Sequence, residues 1–155
     1  MKTKSLTLGA TIATLYVVLT GLSKLFGLDS GVIQVRFSEA LCILPVFTPA
    51  AVPGLFIGCL LSNIMAGGIV WDVVFGSLAT LIGAVGTRLL RKNRFLAVIP
   101  PIMANVLIIP FVLSYAYGFS GGIPYFMLTV GLGEVISCGI FGLFLYEALK
   151  KVKIF

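Results

Sequence analysis

From Phe95 to Gly133 the chain carries no charged side chain, and residues 40–71 carry none either. Runs of that length decide what the chain can fold into. A bilayer core is crossed by about 20 consecutive apolar residues, whereas a water-soluble helix turns a charged face outward at every turn or two. Composition agrees, with 59% hydrophobic and 10% charged residues against about 45–50% and about 25% in ordinary globular chains. Water-soluble enzymes are therefore excluded. The 155 residues, at about 20 per span with short connections, hold five to six helices and leave nothing for a domain outside the membrane. The reading is an all-α integral membrane protein with one transmembrane domain over residues 1–155.

Turn residues and charges divide the chain into six spans, at about 6–25, 38–47, 52–65, 73–90, 96–113 and 125–149. The second and third are short. Residues 38–70 number 33, where two full spans take about 40, and Pro45, Pro49 and Pro53 punctuate them. They are expected to be short, tilted or locally unwound. The first run follows Lys2 and Lys4 as a signal peptide would, but at about 20 residues it is too long for a typical apolar signal core, and no small-residue cleavage site precedes Lys24.

Of 11 Lys and Arg residues, nine lie in three clusters: Lys2 and Lys4; Arg88, Arg91, Lys92 and Arg94; Lys150, Lys151 and Lys153. A nucleic-acid partner would need a solvated basic face, and short basic loops beside apolar spans are topology signals instead. Six spans with both termini cytoplasmic put all nine on the inner side. Trp71, Tyr115, Tyr117 and Tyr125 then form an aromatic girdle at the outer ends.

Ionisable groups at membrane depth cost about 2.5–3.5 kcal/mol each on insertion scales and mark a pathway or a pocket. Glu134 is central in the last span, Glu39 lies one turn inside the second, and Asp72 opens the fourth; Asn63 and Asn105 add amides. Each has a plainer reading as well. Arg36 and Glu39 pair at i,i+3, Asp72 caps a helix, and Asn105 bridges helices. All fall in the outer half or near the midplane, so the inference is an outward-open pocket. Pro110 frees the carbonyl of Val106 beside Asn105, which a membrane tolerates only against protein or a cavity. Gly76, Ala79, Thr80, Gly83 and Thr87 make a small-residue stripe for close helix packing, and Gly9/Ala13 with Ala10/Thr14 give two small-x-x-x-small pairs in the first span.

Absences narrow the mechanism. There is no histidine, no G-x-x-x-x-G-K-[ST] loop and no Ser–His or Cys–His pair, so no catalytic residue or cofactor is assigned. Cys42, Cys59 and Cys138 are odd in number, without C-x-x-C spacing, which argues against a disulfide frame and a metal site. A protein that binds or transports a small molecule remains.

The runs Gly31-Val-Ile-Gln-Val-Arg-Phe-Ser-Glu-Ala-Leu-Cys-Ile-Leu-Pro45, Pro53-Gly-Leu-Phe-Ile-Gly-Cys59 and Asp72-Val-Val-Phe-Gly-Ser-Leu-Ala-Thr80, with Pro100-Pro101, Asn105 and Gly131-Leu-Gly-Glu134, resemble the QueT family. Its members are the substrate-binding S components of energy-coupling factor (ECF) transporters. The resemblance implies a six-helix S component that captures a queuosine precursor, a 7-deazaguanine base, from outside. It also implies a transmembrane coupling subunit of the EcfT type and two cytoplasmic ATPase subunits as partners. The interface with the coupling subunit would fall on Gly9, Ala10, Ala13 and Thr14, where this chain departs from the family's Ala-x-x-x-Ala pattern.

Such a base offers an N–H and an amine side by side, which one carboxylate accepts as a pair, and a carbonyl that takes a donor. Glu134 and Glu39 suit the first role, and Asn105, Gln34 and Arg36 the second. Asp72 suits a cationic aminomethyl tail, and Trp71, Phe75 and Tyr115 are candidates for ring stacking. The segment from Asp29 to Arg36 is the expected lid. Two other readings stand beside this one: a proton-driven secondary transporter working through Glu39 and Glu134, and a ligand-free membrane assembly protein.

Overall fold

The computed structural model describes residues 2–29 and 33–152, with Lys2 described in its backbone alone. Among these residues there is no strand. Six continuous helices follow one another: α1 (Lys2–Leu25), α2 (Phe37–Val46), α3 (Ala51–Met65), α4 (Val70–Leu89), α5 (Arg94–Ala116) and α6 (Ile123–Leu149). Helices α1, α4, α5 and α6 are long and apolar enough to cross a membrane, and α2 and α3 are shorter.

The shortage of residues in the second and third spans is met by a change of helix type. Helix α2 is a 3-10 helix of 10 residues with Pro45 inside it. At about 2.0 Å rise per residue it reaches roughly 20 Å, where an α-helix of that length would reach roughly 15 Å. Its apolar side chains are enclosed on every side: α2 packs against α1, α3, α4 and α6, and Leu41, Cys42 and Leu44 join Ile12, Tyr16, Leu55, Cys59, Ala84 and Cys138 in the core. Two further departures follow the same logic. Helix α5 continues past Pro110 and closes with a π turn at Val112–Ala116, because the proline withholds one N–H from the regular ladder. Helix α6 holds a π segment at Val135–Phe141.

Small residues set the closest crossings. A Cβ on Gly54 would lie 2.7 Å from the Gly9 carbonyl oxygen, and one on Gly58 2.7 Å from Tyr16 Cβ, so α1 and α3 touch along their backbones. A Cβ on Gly83 would lie 2.6 Å from Pro101 Cα, and one on Gly86 2.4 Å from Pro100 Cβ, which seats α4 on the start of α5. Within the stripe on α4, Gly83 is thus a packing contact.

The molecule has a basic end. Arg94 and Lys150 both pair with Glu147, and Arg88 Nη1 donates to the carbonyls of Pro45 (3.0 Å) and Val46 (3.2 Å). At the other end Lys24 Nζ donates to the Ala66 carbonyl at 3.1 Å, and the Tyr117 hydroxyl donates to Asp72 Oδ2 at 3.0 Å. Leu6, Ile64, Ile82, Leu107, Leu128 and Phe144 are exposed along the flanks, which is the surface of a protein solvated by lipid.

Candidate functional site

Helix α2 places the first functional group. In a 3-10 helix, residues three apart stand directly above one another, so Glu39 and Cys42 share one line, and the Cys42 thiol donates to Glu39 Oε2 at 3.2 Å. Tyr16 of α1, itself fully buried, donates its hydroxyl to Glu39 Oε1. From α6 the Cys138 thiol lies 3.2 Å from Glu134 Oε2, 3.3 Å from the Glu39 carbonyl oxygen and 3.9 Å from Glu39 Oε2. The two carboxylates are therefore linked through one thiol. Glu39 is buried with the Tyr16 hydroxyl and the Cys42 thiol donating to it, and half-buried Glu134 takes the Cys138 thiol.

Of these groups Glu39 and Glu134 line a polar cavity of about 50 Å³, with Tyr16, Cys42 and Cys138 behind them. Helix α3 contributes Cys59 and Asn63; α4 contributes Asp72, Gly76 and Thr80; α5 contributes Asn105 and Ile109; α6 contributes Val130 and Glu134. Asn63 reaches across to α4, Nδ2 lying 3.5 Å from the Asp72 carbonyl. Gly76 leaves room for that amide, since a Cβ would fall 2.9 Å from Nδ2 and push the Asn63 side chain aside. Asp72 caps nothing: Ile69 is the N-cap of α4, and the carboxylate takes the Tyr117 hydroxyl instead.

A strap of non-helical chain, Ile33–Arg36, closes one side of the cavity with Gln34 and Arg36. Three hydrogen bonds hold it: Val35 N to Leu28 O (2.9 Å), Arg36 N to Ser137 Oγ (3.1 Å) and Phe37 N to Ser23 Oγ (2.8 Å). It lies directly on α6, where a Cβ on Gly133 would sit 2.1 Å from the Gln34 carbonyl oxygen. Residues 30–32 of the expected lid lie outside the described residues. Arg36 does not pair with Glu39; the ion pairs among the described residues are those of Glu147.

Six of the nine expected binding positions are brought to this cavity or its wall, Gln34, Arg36, Glu39, Asp72, Asn105 and Glu134, and Asn63 joins them. The aromatic residues stand apart from this cavity. Trp71, Phe75 and Tyr115 lie instead in a separate apolar groove of about 600 Å³ with Leu78, Ile82, Leu107 and Phe111, and Trp71 stacks on Phe75 while Tyr115 stacks on Phe111. The reason is helical phase. Asp72, Gly76 and Thr80 face inward at i, i+4 and i+8, so Trp71, Phe75, Leu78 and Ile82 are carried to the outer face. No aromatic ring is among the residues lining the polar cavity.

The small residues of α1 divide. Ala13 is buried, and Gly9 and Ala13 meet Gly54 and Gly58 of α3. Ala10 and Thr14 stay exposed and, with Val17, Val18, Ile57 and Leu61, border an apolar groove of about 720 Å³ between α1 and α3. Sequence reasoning missed Tyr16 and the Cys42–Cys138 pair. Tyr16 stands in an apolar run with nothing to mark it, and the thiols come together only through the non-α geometry of α2 and α6.

Comparison with known proteins is consistent with this picture. A family model described as "QueT transporter" matches residues 6–151. A curated protein of Lactococcus lactis subsp. cremoris (strain MG1363), "Queuosine precursor transporter QueT", is 37% identical over 82 residues. The match covers 52% of this chain and 47% of that relative, so it spans about half the relative's length. No solved structure matches.

Proposed function

We propose, because the chain belongs to the QueT transporter family, that it captures a queuosine precursor of the 7-deazaguanine type from the outer side of the plasma membrane, as the S component of an ECF importer. One observation carries this reading: two carboxylates, Glu39 and Glu134, share a single cavity with an arginine and three amides, Gln34, Asn63 and Asn105. That set complements a guanine-like edge, with a carboxylate for the adjacent N–H and amine and Asn105, Gln34 or Arg36 for the carbonyl. Asp72, on the far wall, suits a cationic tail. With no ring in the cavity, Ile109 and Val130 supply the apolar faces against the base.

The cavity of about 50 Å³ is a closed state, since sites for small molecules run at about 300–1,000 Å³. Admission requires the strap at Ile33–Arg36 to move, which is the lid role expected of this segment. Restraining the strap should slow ligand dissociation, and an unchanged rate would reject the lid. The basic end faces the cytoplasm with both termini by the positive-inside rule, so the multi-pass chain opens its cavity outward. Coupling to an EcfT-type subunit and two ATPases is assigned to the groove between α1 and α3, through Ala10 and Thr14, with Gly9 and Ala13 acting from within the α1–α3 crossing.

The test is calorimetric titration of the detergent-purified chain with guanine-type 7-deazapurines, beside Glu134→Gln. The parent should bind tightly. The variant, which presents a donor where an acceptor is needed and leaves buried partners unpaired, should lose about 10- to 100-fold or more. Full binding by the variant would move the site, and no heat with any deazapurine would reject the substrate class. Uptake that proceeds without an ATPase module would favour proton coupling through Glu39 and Glu134.

A further inference from the structure

We infer that Glu39, Cys42 and Cys138 form a binding site for a thiophilic d10 divalent cation, Zn²⁺ or Cd²⁺, behind the wall of the polar cavity to which Glu39 belongs. The three donor atoms lie within 4.8 Å of one another, and all three residues are buried. A tetrahedral ion with metal–sulfur bonds of about 2.3 Å and metal–oxygen bonds of about 2.0–2.2 Å sets its sulfur and oxygen ligands roughly 3.5 Å apart. The Glu39 Oε2 distances to Cys42 Sγ and Cys138 Sγ, 3.2 Å and 3.9 Å, bracket that value.

The backbone aims these donors. The 3-10 register of α2 stacks Glu39 over Cys42, and Cys138 projects from the π segment of α6, a turn below Glu134. The remaining Glu39 oxygen is already held by the Tyr16 hydroxyl, the kind of outer partner that orients a ligating carboxylate and leaves its second oxygen for the metal. Two thiols with one carboxylate are a soft donor set that prefers zinc-group ions to Mg²⁺ or Ca²⁺. Binding exchanges the two thiol protons for the cation and releases them to solvent. The fourth position falls to water or to Glu134, whose Oε2 is 3.2 Å from Cys138 Sγ. Glu39 and Glu134 both line the cavity, which offers the ion its path. If the substrate reading above holds, it occupies Glu39 in place of the base, and the two compete.

The experiment is titration of the purified full chain with Cd²⁺ in the absence of any deazapurine, read by the ultraviolet absorption of cadmium–thiolate charge transfer. One equivalent is expected to saturate the signal. Cys42→Ser together with Cys138→Ser abolishes it, Cys59→Ser keeps it, and Tyr16→Phe weakens the affinity by roughly 10- to 100-fold. X-ray absorption of the zinc-loaded parent, which needs no variant to fold, should count two sulfur ligands. Absence of a stoichiometric signal, a signal that survives the double serine variant, or a sulfur count other than two overturns the site. Because the readout uses no precursor, its failure leaves the substrate reading untouched. A chain that binds Cd²⁺ but no deazapurine keeps the metal site and rejects the substrate instead; competition is tested by repeating the deazapurine titration on cadmium-loaded protein, where the heat should vanish.

Discussion

Gly133→Ala isolates the contact on which the cavity depends. The added Cβ would lie 2.1 Å from the Gln34 carbonyl oxygen and 3.1 Å from its carbon, so the strap at Ile33–Arg36 must lift by about 1 Å to restore contact distance, an overpacking change that costs about 1–3 kcal/mol. The ceiling is set by the strap's own attachments. Its three backbone hydrogen bonds, from Val35, Arg36 and Phe37, contribute about 1 kcal/mol each, so detachment relieves the clash for about 3 kcal/mol. Alanine recovers about 1 kcal/mol of helix propensity, leaving a net stability loss of up to about 2 kcal/mol. Precursor binding suffers separately, since Gln34 and Arg36 leave their positions, and about 1–3 kcal/mol corresponds to about 5- to 150-fold in Kd. Gly131→Ala is the control two residues away, where the new Cβ would meet Val106 Cγ2 at 3.4 Å, an ordinary contact. Melting of the detergent-purified chain and calorimetric titration with a 7-deazapurine read both effects. If Gly133→Ala melts and binds as Gly131→Ala does, the strap is not seated on α6 as described.

Arg88→Ala should cost about 1.5–3 kcal/mol in a denaturation midpoint, because its charged donor satisfies the carbonyls of Pro45 and Val46 at the end of α2, whereas Arg94→Ala, which breaks a pair whose side chains are 37% and 41% exposed, should cost less than about 1 kcal/mol; equal losses would contradict the assignment. Burial first, and the Asp72 carboxylate beside it second, hold the Tyr117 phenol above the ordinary tyrosine range. A folded-state value raised above the unfolded one means that stability is intact below about pH 10 and declines as pH rises further; Tyr117→Phe should flatten the alkaline arm of a stability–pH profile, and an unaltered arm would show that the phenol does not contribute.

What was legible in the sequence follows from how lipid inverts the usual pattern. In a bilayer the apolar residues report nothing about which face is inward, and the few polar ones report nearly all of it. Asp72, Gly76 and Thr80 give the inner face of α4 by their spacing alone. The same spacing carries Trp71 and Phe75 outward, because adjacent helical residues point about 100° apart and each ring immediately precedes an inward-facing position. Glu39 and Asn105 stood out because nothing else within their runs was charged or amide-bearing, and Glu134 because the one other charge in its run, Glu147, sits at the far end beside the basic cluster; all three line the cavity. The α1 pairs were legible as small residues but not as to which would be used internally, because the answer depends on Gly54 and Gly58 of a different helix.

The thiols and Tyr16 were hidden for a different reason. Periodicity arguments assume 3.6 residues per turn, and the centre of this molecule is built from helices that do not keep it. Residues at i and i+3 are offset by about 60° in an α-helix but eclipse in a 3-10 helix, so Glu39 and Cys42 become neighbours on one line only once α2 tightens. Its tightening had a signature, the 33 residues of 38–70 where two regular spans need more, with Pro45 inside. The π segment at Val135–Phe141 had none, because neither its composition nor its length separates it from the α-helix around it. Such segments occur mostly at functional sites, and here the 3-10 and π elements meet at Cys138, 3.3 Å from the Glu39 carbonyl. Straightening either into a regular α-helix would swing Glu39 or Cys138 away from the other, so the chemistry of the cavity depends on the two places where the backbone departs from the structure that the bilayer favours elsewhere.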